Sequence, residues 1–123
     1  MAESTIVMVK RQPSQHPCLI IEQGTQEGLV FPLVHSGKPI VLGRDPECDI
    51  AFNPDQERMV SRRHASVEIH ANGIFLTDLQ SVNKTFVGEQ AIDVPVQLRN
   101  GDRFQLGPDG PIVSIRIPAR SPA

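Results

Sequence analysis

Aliphatic and β-branched runs in this chain are all short, because a glycine, a proline or a polar turn soon interrupts each one. Eleven prolines and nine glycines fall within 123 residues. Proline removes a backbone donor and fixes φ, and glycine weakens a helix interior, so both punctuate the chain, and no helical period is sustained between them. What remains are strand-sized runs: Cys18-Leu19-Ile20-Ile21, Leu29-Val30-Phe31-Pro32-Leu33, Ile40-Val41-Leu42, Ala65 to His70, Gly73 to Asp78, Thr85-Phe86-Val87, Val96-Gln97-Leu98, Asp102 to Leu106 and Ile112 to Ile117. Ala65/Val67/Ile69 and Val113/Ile115/Ile117 alternate with polar residues at period two, the pattern of a strand buried on one face. Ala71-Asn72-Gly73 and Asn100-Gly101-Asp102 read as hairpin turns, since Asn-Gly accepts positive φ. Many short strands at this spacing predict an all-β sandwich or barrel.

The length suits one domain with a core of its own. Residues 1–15 are polar for the most part and carry Pro13, so they are expected to form a loose tail. The Pro/Ser/Ala-rich residues 118–123 read as a second tail or the start of a linker, which leaves 16–117 as the expected domain. No stretch approaches the roughly 20 apolar residues of a membrane helix, and the first residues lack the apolar core of a secretory signal. The expectation is a cytoplasmic protein without membrane insertion.

Formal net charge is −2, which disfavours a nucleic-acid binder acting through a broad basic surface. Cys18 and Cys48 are too few for a disulfide framework and lack paired metal-ligand spacing, so both are expected as small buried hydrophobes. Four scattered histidines add no metal site. No metal and no cofactor are expected. Asp45, Glu47 and Asp49 cluster near Arg44, but no nucleophile, base and orienting group accompany them, so an enzyme is not expected.

Positive charge is instead concentrated in three polar turns. Gly43-Arg44 ends one apolar run, Ser61-Arg62-Arg63-His64 precedes another, and Ser81-Val82-Asn83-Lys84-Thr85 precedes a third. The glycine permits a tight backbone path, and the arginine brings a planar fork of donors that matches phosphate or carboxylate. Three such turns in a strand-rich chain read as the rim of one discrete anion site. Taken alone each block has an ordinary reading: a solvated arginine at a strand end, a basic turn, or an Asn-Lys-Thr glycosylation sequon.

In order, however, Gly43-Arg44, Ser61-Arg62-Arg63-His64-Ala65, Asp78 through Val87 and Leu98-Arg99-Asn100-Gly101-Asp102 resemble a forkhead-associated (FHA) domain, from about Leu19 to Ile117. The resemblance implies an eleven-stranded β-sandwich whose loops at one end bind phosphothreonine in an extended peptide, without catalysis. It places Arg44, Ser61 and Arg62 on the phosphate. It places Asn83 on the peptide backbone, with Val82 beside the phosphorylated residue. His64 then braces the loops from behind, Gly43 is structural and Arg63 faces solvent. Met59, in the loop before Ser61, is a candidate reader of the third residue after the phosphothreonine and suggests an apolar preference there.

Two positions depart from the family pattern. Lys84 stands where glycine usually follows the motif asparagine, which implies a different turn or a strained one, and adds positive charge near the peptide. Gly88-Glu89 follows Phe86-Val87 where Asn-Gly is common. The implied partner is a protein or peptide carrying phosphothreonine made by a serine/threonine kinase. The alternative is a phosphate-independent interaction or self-association module on the same fold.

Overall fold

The computed structural model describes residues 16–34 and 37–118; the expected tail 1–15 and most of the tail 118–123 lie outside the described residues. Among them the chain is all strand and turn. The strands are β1 (Cys18–Gln23), β2 (Val30–Pro32), β3 (Ile40–Gly43), β4 (Ile50–Ala51), β5 (Ala65–His70), β6 (Gly73–Asp78), β7 (Thr85–Val87), β8 (Gln90–Ala91), β9 (Val96–Leu98), β10 (Arg103–Leu106) and β11 (Ile112–Arg116). They form a six-stranded sheet in the order β2-β1-β11-β10-β7-β8 and a five-stranded sheet in the order β4-β3-β5-β6-β9. The eleven-stranded sandwich is therefore present. No helix is long and apolar enough to cross a membrane among the described residues.

Alternation places the core. Leu19 and Ile21 of β1, Phe104 and Leu106 of β10, and Val113 and Ile115 of β11 turn inward from one sheet. Leu42, Ala65, Val67, Leu76 and Leu98 meet them from the other. Each fully buried Leu, Ile or Phe contributes roughly 1.5–3 kcal/mol of transfer free energy, so register is fixed by the cost of turning this face to water. Both cysteines are buried free thiols.

Two short strands escaped the reading of apolar runs. β4 and β8 are two residues each, held by pairing to β3 and β7 rather than by a pattern of their own.

The two expected hairpin turns come out differently from each other. Ala71-Asn72 does join β5 to β6, with His70 paired to Gly73. Positive φ falls on Gly73 (147°) and not on Asn72, so the glycine sits inside the strand rather than within the turn. The turn around Asn100-Gly101 is not a hairpin. It hands the chain from β9 in the five-stranded sheet to β10 in the six-stranded one, with Gly101 at φ 91° and its N–H on the Ile115 carbonyl at 2.8 Å. A turn signal fixes a reversal of direction, but which neighbour the next strand pairs with is set by core packing. Gly88, by contrast, supplies positive φ (64°) at the first position of the β7–β8 turn, the glycine-first pattern of a type II′ hairpin.

Candidate functional site

The three polar turns gather at one end of the sandwich. Gly43 closes β3, and its carbonyl accepts from Phe52 N–H at 2.8 Å as β4 runs parallel alongside. Beyond it, Arg44 N–H donates to Ser61 O and Asp45 N–H to Arg62 O, both at 3.0 Å. The arginine turn and the serine turn are thus zipped together through their backbones. Gly43 is needed here for space, since a Cβ at this position would lie 2.1 Å from the Arg62 carbonyl oxygen. That same oxygen accepts from the buried Cys48 thiol at 3.3 Å. Burial raises the Cys48 thiol pKa above its ordinary value, which keeps the proton on sulfur for this bond.

Arg44 is half-buried, and its Nε donates to the Val60 carbonyl. Pinned through Nε, the guanidinium keeps its two terminal nitrogens for another acceptor. Ser61 is fixed from two sides. Its N–H donates to His64 Nδ1 and its Oγ accepts from Val82 N–H, each at 3.0 Å. With a lone pair of Oγ so engaged, the hydroxyl proton is the group left to reach an anion.

Arg62 behaves differently. Its side chain is 75% exposed and pairs with Asp45 at 3.3 Å. Asp45 is held below the ordinary carboxylate range, first by the Glu47 backbone N–H and then by Arg62 itself. Arg62 is therefore an exposed cation already resting on a carboxylate, whereas Arg44 is set into the scaffold. Arg63 is exposed.

His64 is fully buried and links the turns. Because Ser61 N–H can only donate, Nδ1 must accept, and Nε2 carries the proton to the Lys84 carbonyl at 2.9 Å. Burial depresses the His64 pKa, with the Lys84 carbonyl and Asp78 opposing the shift. The neutral ring is the form that satisfies both partners. Lys84 O accepts a second bond, from Gly107 N–H at 2.9 Å, which ties the third turn to the end of β10.

Lys84 has φ 73°. The turn is the one a glycine would make, and lysine occupies it with strain of roughly 1 kcal/mol. Asn83 donates through Nδ2 to the Met59 carbonyl at 3.0 Å, leaving its amide oxygen and second N–H. Met59 packs against Gly107, where a Cβ would approach its own Cβ to 2.9 Å. Val82 is 81% exposed. One acid went unnoticed in the sequence. Asp78 accepts from Ser81 N–H (3.2 Å), Ser81 Oγ (2.5 Å) and Thr85 Oγ1 (2.7 Å), holding the whole third turn. Its signal was present in Asp78 standing three residues before Ser81, the spacing of a side chain that caps a local turn.

The family model for the FHA domain matches residues 40–107, the span holding all three turns. The chain belongs to the FHA domain family. It is 38% identical over 82 residues to the proliferation marker protein Ki-67 of Homo sapiens, covering 67% of this chain and 2% of that protein. It is 32% identical over 105 residues to the glycogen accumulation regulator GarA of Mycobacterium tuberculosis, covering 85% of this chain and 61% of GarA. The chain thus spans less than two thirds of these relatives' length. The FHA domain of the CT664 protein from Chlamydia trachomatis superposes with a TM-score of 0.74 at 25% identity, over 85% of this chain and 99% of that one. The N-terminal FHA domain of Rad53p from S. cerevisiae, solved in complex with a phosphothreonine peptide, shares the fold with a TM-score of 0.70 at 19% identity, over 84% of this chain and 94% of that one. Among the described residues no group of three or more His, Cys, Asp or Glu could hold a metal ion.

Proposed function

We propose that the loop end of this FHA domain binds phosphothreonine in an extended segment of a partner protein, without catalysis. The phosphorylated ester carries about −1.5 to −2 charges and three strong acceptor oxygens. In this reading Arg44 is the fixed anchor, through the terminal nitrogens that Val60 leaves available. Ser61 donates its hydroxyl proton, and Arg62 swings from Asp45 onto the phosphate. The observation that carries the reading is the double fixing of Ser61 by His64 and Val82 N–H beside an Arg44 pinned at Nε. Donors placed before the ligand arrives lose little freedom when it binds.

Val82, exposed beside Ser61, meets the phosphorylated residue. Asn83 offers its remaining amide groups to the peptide backbone. Lys84 adds positive charge to the rim, and Met59 lines the loop that reads the peptide farther along. Hydrogen bonds to charged groups contribute roughly 1.5–3 kcal/mol each. Two or three of them supply most of the roughly −8 kcal/mol of a micromolar complex, so binding should depend on phosphate. The partner would be the product of a serine/threonine kinase, and the setting cytoplasmic.

A phosphate-independent mode on the same fold finds no support at Lys84, which holds the glycine-like φ (73°). The test is calorimetric titration of one threonine peptide, with and without phosphate, against wild type and Arg44→Ala. Binding should be seen only for the phosphorylated peptide and fall by about 100-fold in the variant. Equal binding of both peptides, or wild-type affinity in Arg44→Ala, would overturn the assignment.

A further inference from the structure

The outer face of the six-stranded sheet carries a trough that the loop cluster does not use. Its volume is about 640 Å3, and Ile20, Glu22, Arg103, Ser114, Arg116 and Pro118 border it. Its position along β10 separates it from the phosphate loops. Arg103 opens that strand, whereas Gly107, just past the other end, is bonded to Lys84.

Strand register sets the chemistry of this trough. Arg103 pairs with Ser114, Ser114 pairs with Ile20, and Arg116 lies two residues along β11. Their inward neighbours Phe104, Val113 and Ile115 are in the core, so Arg103, Ser114, Arg116 and Ile20 share the outward face. The Ser114 hydroxyl donates to Glu22 Oε2 at 2.6 Å, which engages the acid on this face. Arg103 and Arg116 are both exposed, and neither is ion-paired with a carboxylate among the described residues. Half-buried Ile20 and Pro118 supply apolar surface beside them.

We propose that this trough is a second docking site, for an extended, unphosphorylated acidic segment of a partner protein. Arg103 and Arg116 are diagonal cross-strand neighbours, about 7–8 Å apart at their backbones. Side chains at i and i+2 of an extended peptide repeat on one face at about 6.6–6.8 Å. Two carboxylates two positions apart therefore match the two guanidinium forks, and an aliphatic side chain two positions before them meets the apolar surface of Ile20 and Pro118. Charge complementarity selects this occupant over a basic segment. The site lies away from the phosphate loops, so both are free to act on one partner, which would raise avidity beyond either contact.

The probe is an unphosphorylated peptide Gly-Ser-Leu-Ser-Glu-Ser-Glu-Ser-Gly, followed by amide chemical shifts of the whole chain. Saturable changes should map to Gly101, Arg103, Ser114 and Arg116. They should weaken at least tenfold in Arg103→Ser/Arg116→Ser and persist in Arg44→Ala. Both arginines are exposed, so the double variant should keep the wild-type melting temperature. The proposal is overturned if the changes map to Arg44 and Ser61. It is equally overturned if a peptide with the two glutamates adjacent binds as well, or if inorganic phosphate alone reproduces the shifts. Concentration-dependent shifts at the same residues without peptide would assign the trough to a second copy of this chain, which also overturns it.

Discussion

The two ends of the sandwich are made by different means. At the end holding the β5–β6 hairpin and the β9–β10 turn, local bonds close the turns. The longer ones there run to the end of β11 (Gly101 N–H to Ile115 O and Ile117 N–H to Asn100 Oδ1, each at 2.8 Å) or link Gln97 Nε2 to Asn72 O at 3.3 Å. Arg99 N–H meets Asp102 at 2.8 Å, Asp102 N–H returns to Arg99 O at 2.9 Å, and exposed His70 rests on Glu68 at 3.0 Å. At the loop end, bonds join turns distant in sequence: Arg44 to Ser61, Ser61 to Val82, His64 to Lys84, and Lys84 to Gly107. Local bonds close a turn cheaply and leave its position to the strands. Long-range bonds fix several turns relative to one another, which is what placing donors around one anion requires.

The glycines give the sharpest way to break this contrast. A methyl on Gly43 meets the Arg62 backbone, which cannot rotate away, whereas a methyl on Gly73 meets the Gln97 side-chain amide, which can. Gly43→Ala should cost about 3 kcal/mol, the upper range for overpacking, and displace the Arg62 turn enough to lose phosphopeptide binding. Gly73→Ala should cost about 1 kcal/mol, mostly from its positive φ, and leave binding intact. Urea unfolding and peptide titration of the pair decide it; equal losses would erase the distinction.

The histidines test the same contrast in side chains. His64→Ala leaves the Ser61 N–H without its partner inside a cavity, for about 2–3 kcal/mol of stability and a loss of peptide affinity. His70→Ala removes an exposed pair and should stay within about 0.5 kcal/mol. If His70→Ala weakened the peptide complex as much as His64→Ala, the two ends would not be functionally separate.

Acid should sharpen the comparison further. The folded-state pKa of His64 is depressed by burial, so the unfolded chain takes up this proton first. The contribution is fully present above the ordinary histidine pKa of about 6.5. It is lost as pH falls from there through the lower folded value. Protonation also turns Nδ1 into a donor facing the Ser61 N–H donor, so the serine turn should loosen with it. Between pH 6.5 and 5, His64→Gln should lose stability less steeply than the wild type. A wild-type slope in His64→Gln would assign the acid sensitivity to another group.

The smallest effect is expected at Lys84. Replacing it with glycine relieves the left-handed backbone, for a gain of up to about 1 kcal/mol offset by the added freedom of the unfolded chain. Thermal melting should move upward slightly, and peptide affinity should fall slightly with the lost charge. A clear drop in melting temperature would mean that the lysine side chain makes a stabilising contact of its own.

Much of this protein was legible without coordinates. Period-two alternation and dense turn residues are local signals, so they determined that the chain is all-β, where most strands lie, and the order of polar turns that marks the family. What needed the tertiary structure was everything set by meeting partners far along the chain. β4 and β8 carry no pattern of their own and exist by pairing. The Asn100-Gly101 turn changes sheets because core packing, not turn chemistry, chooses the neighbour of β10. Gly43 reads in the sequence as permitting a tight backbone path, but that the space is kept for the Arg62 carbonyl only the fold reveals. Cys48 serves the loops through a bond to the Arg62 carbonyl, fourteen residues away, that no spacing announces. Alternation and turn propensity act within a few residues, whereas close approach and hydrogen-bond closure depend on which surfaces the fold brings together.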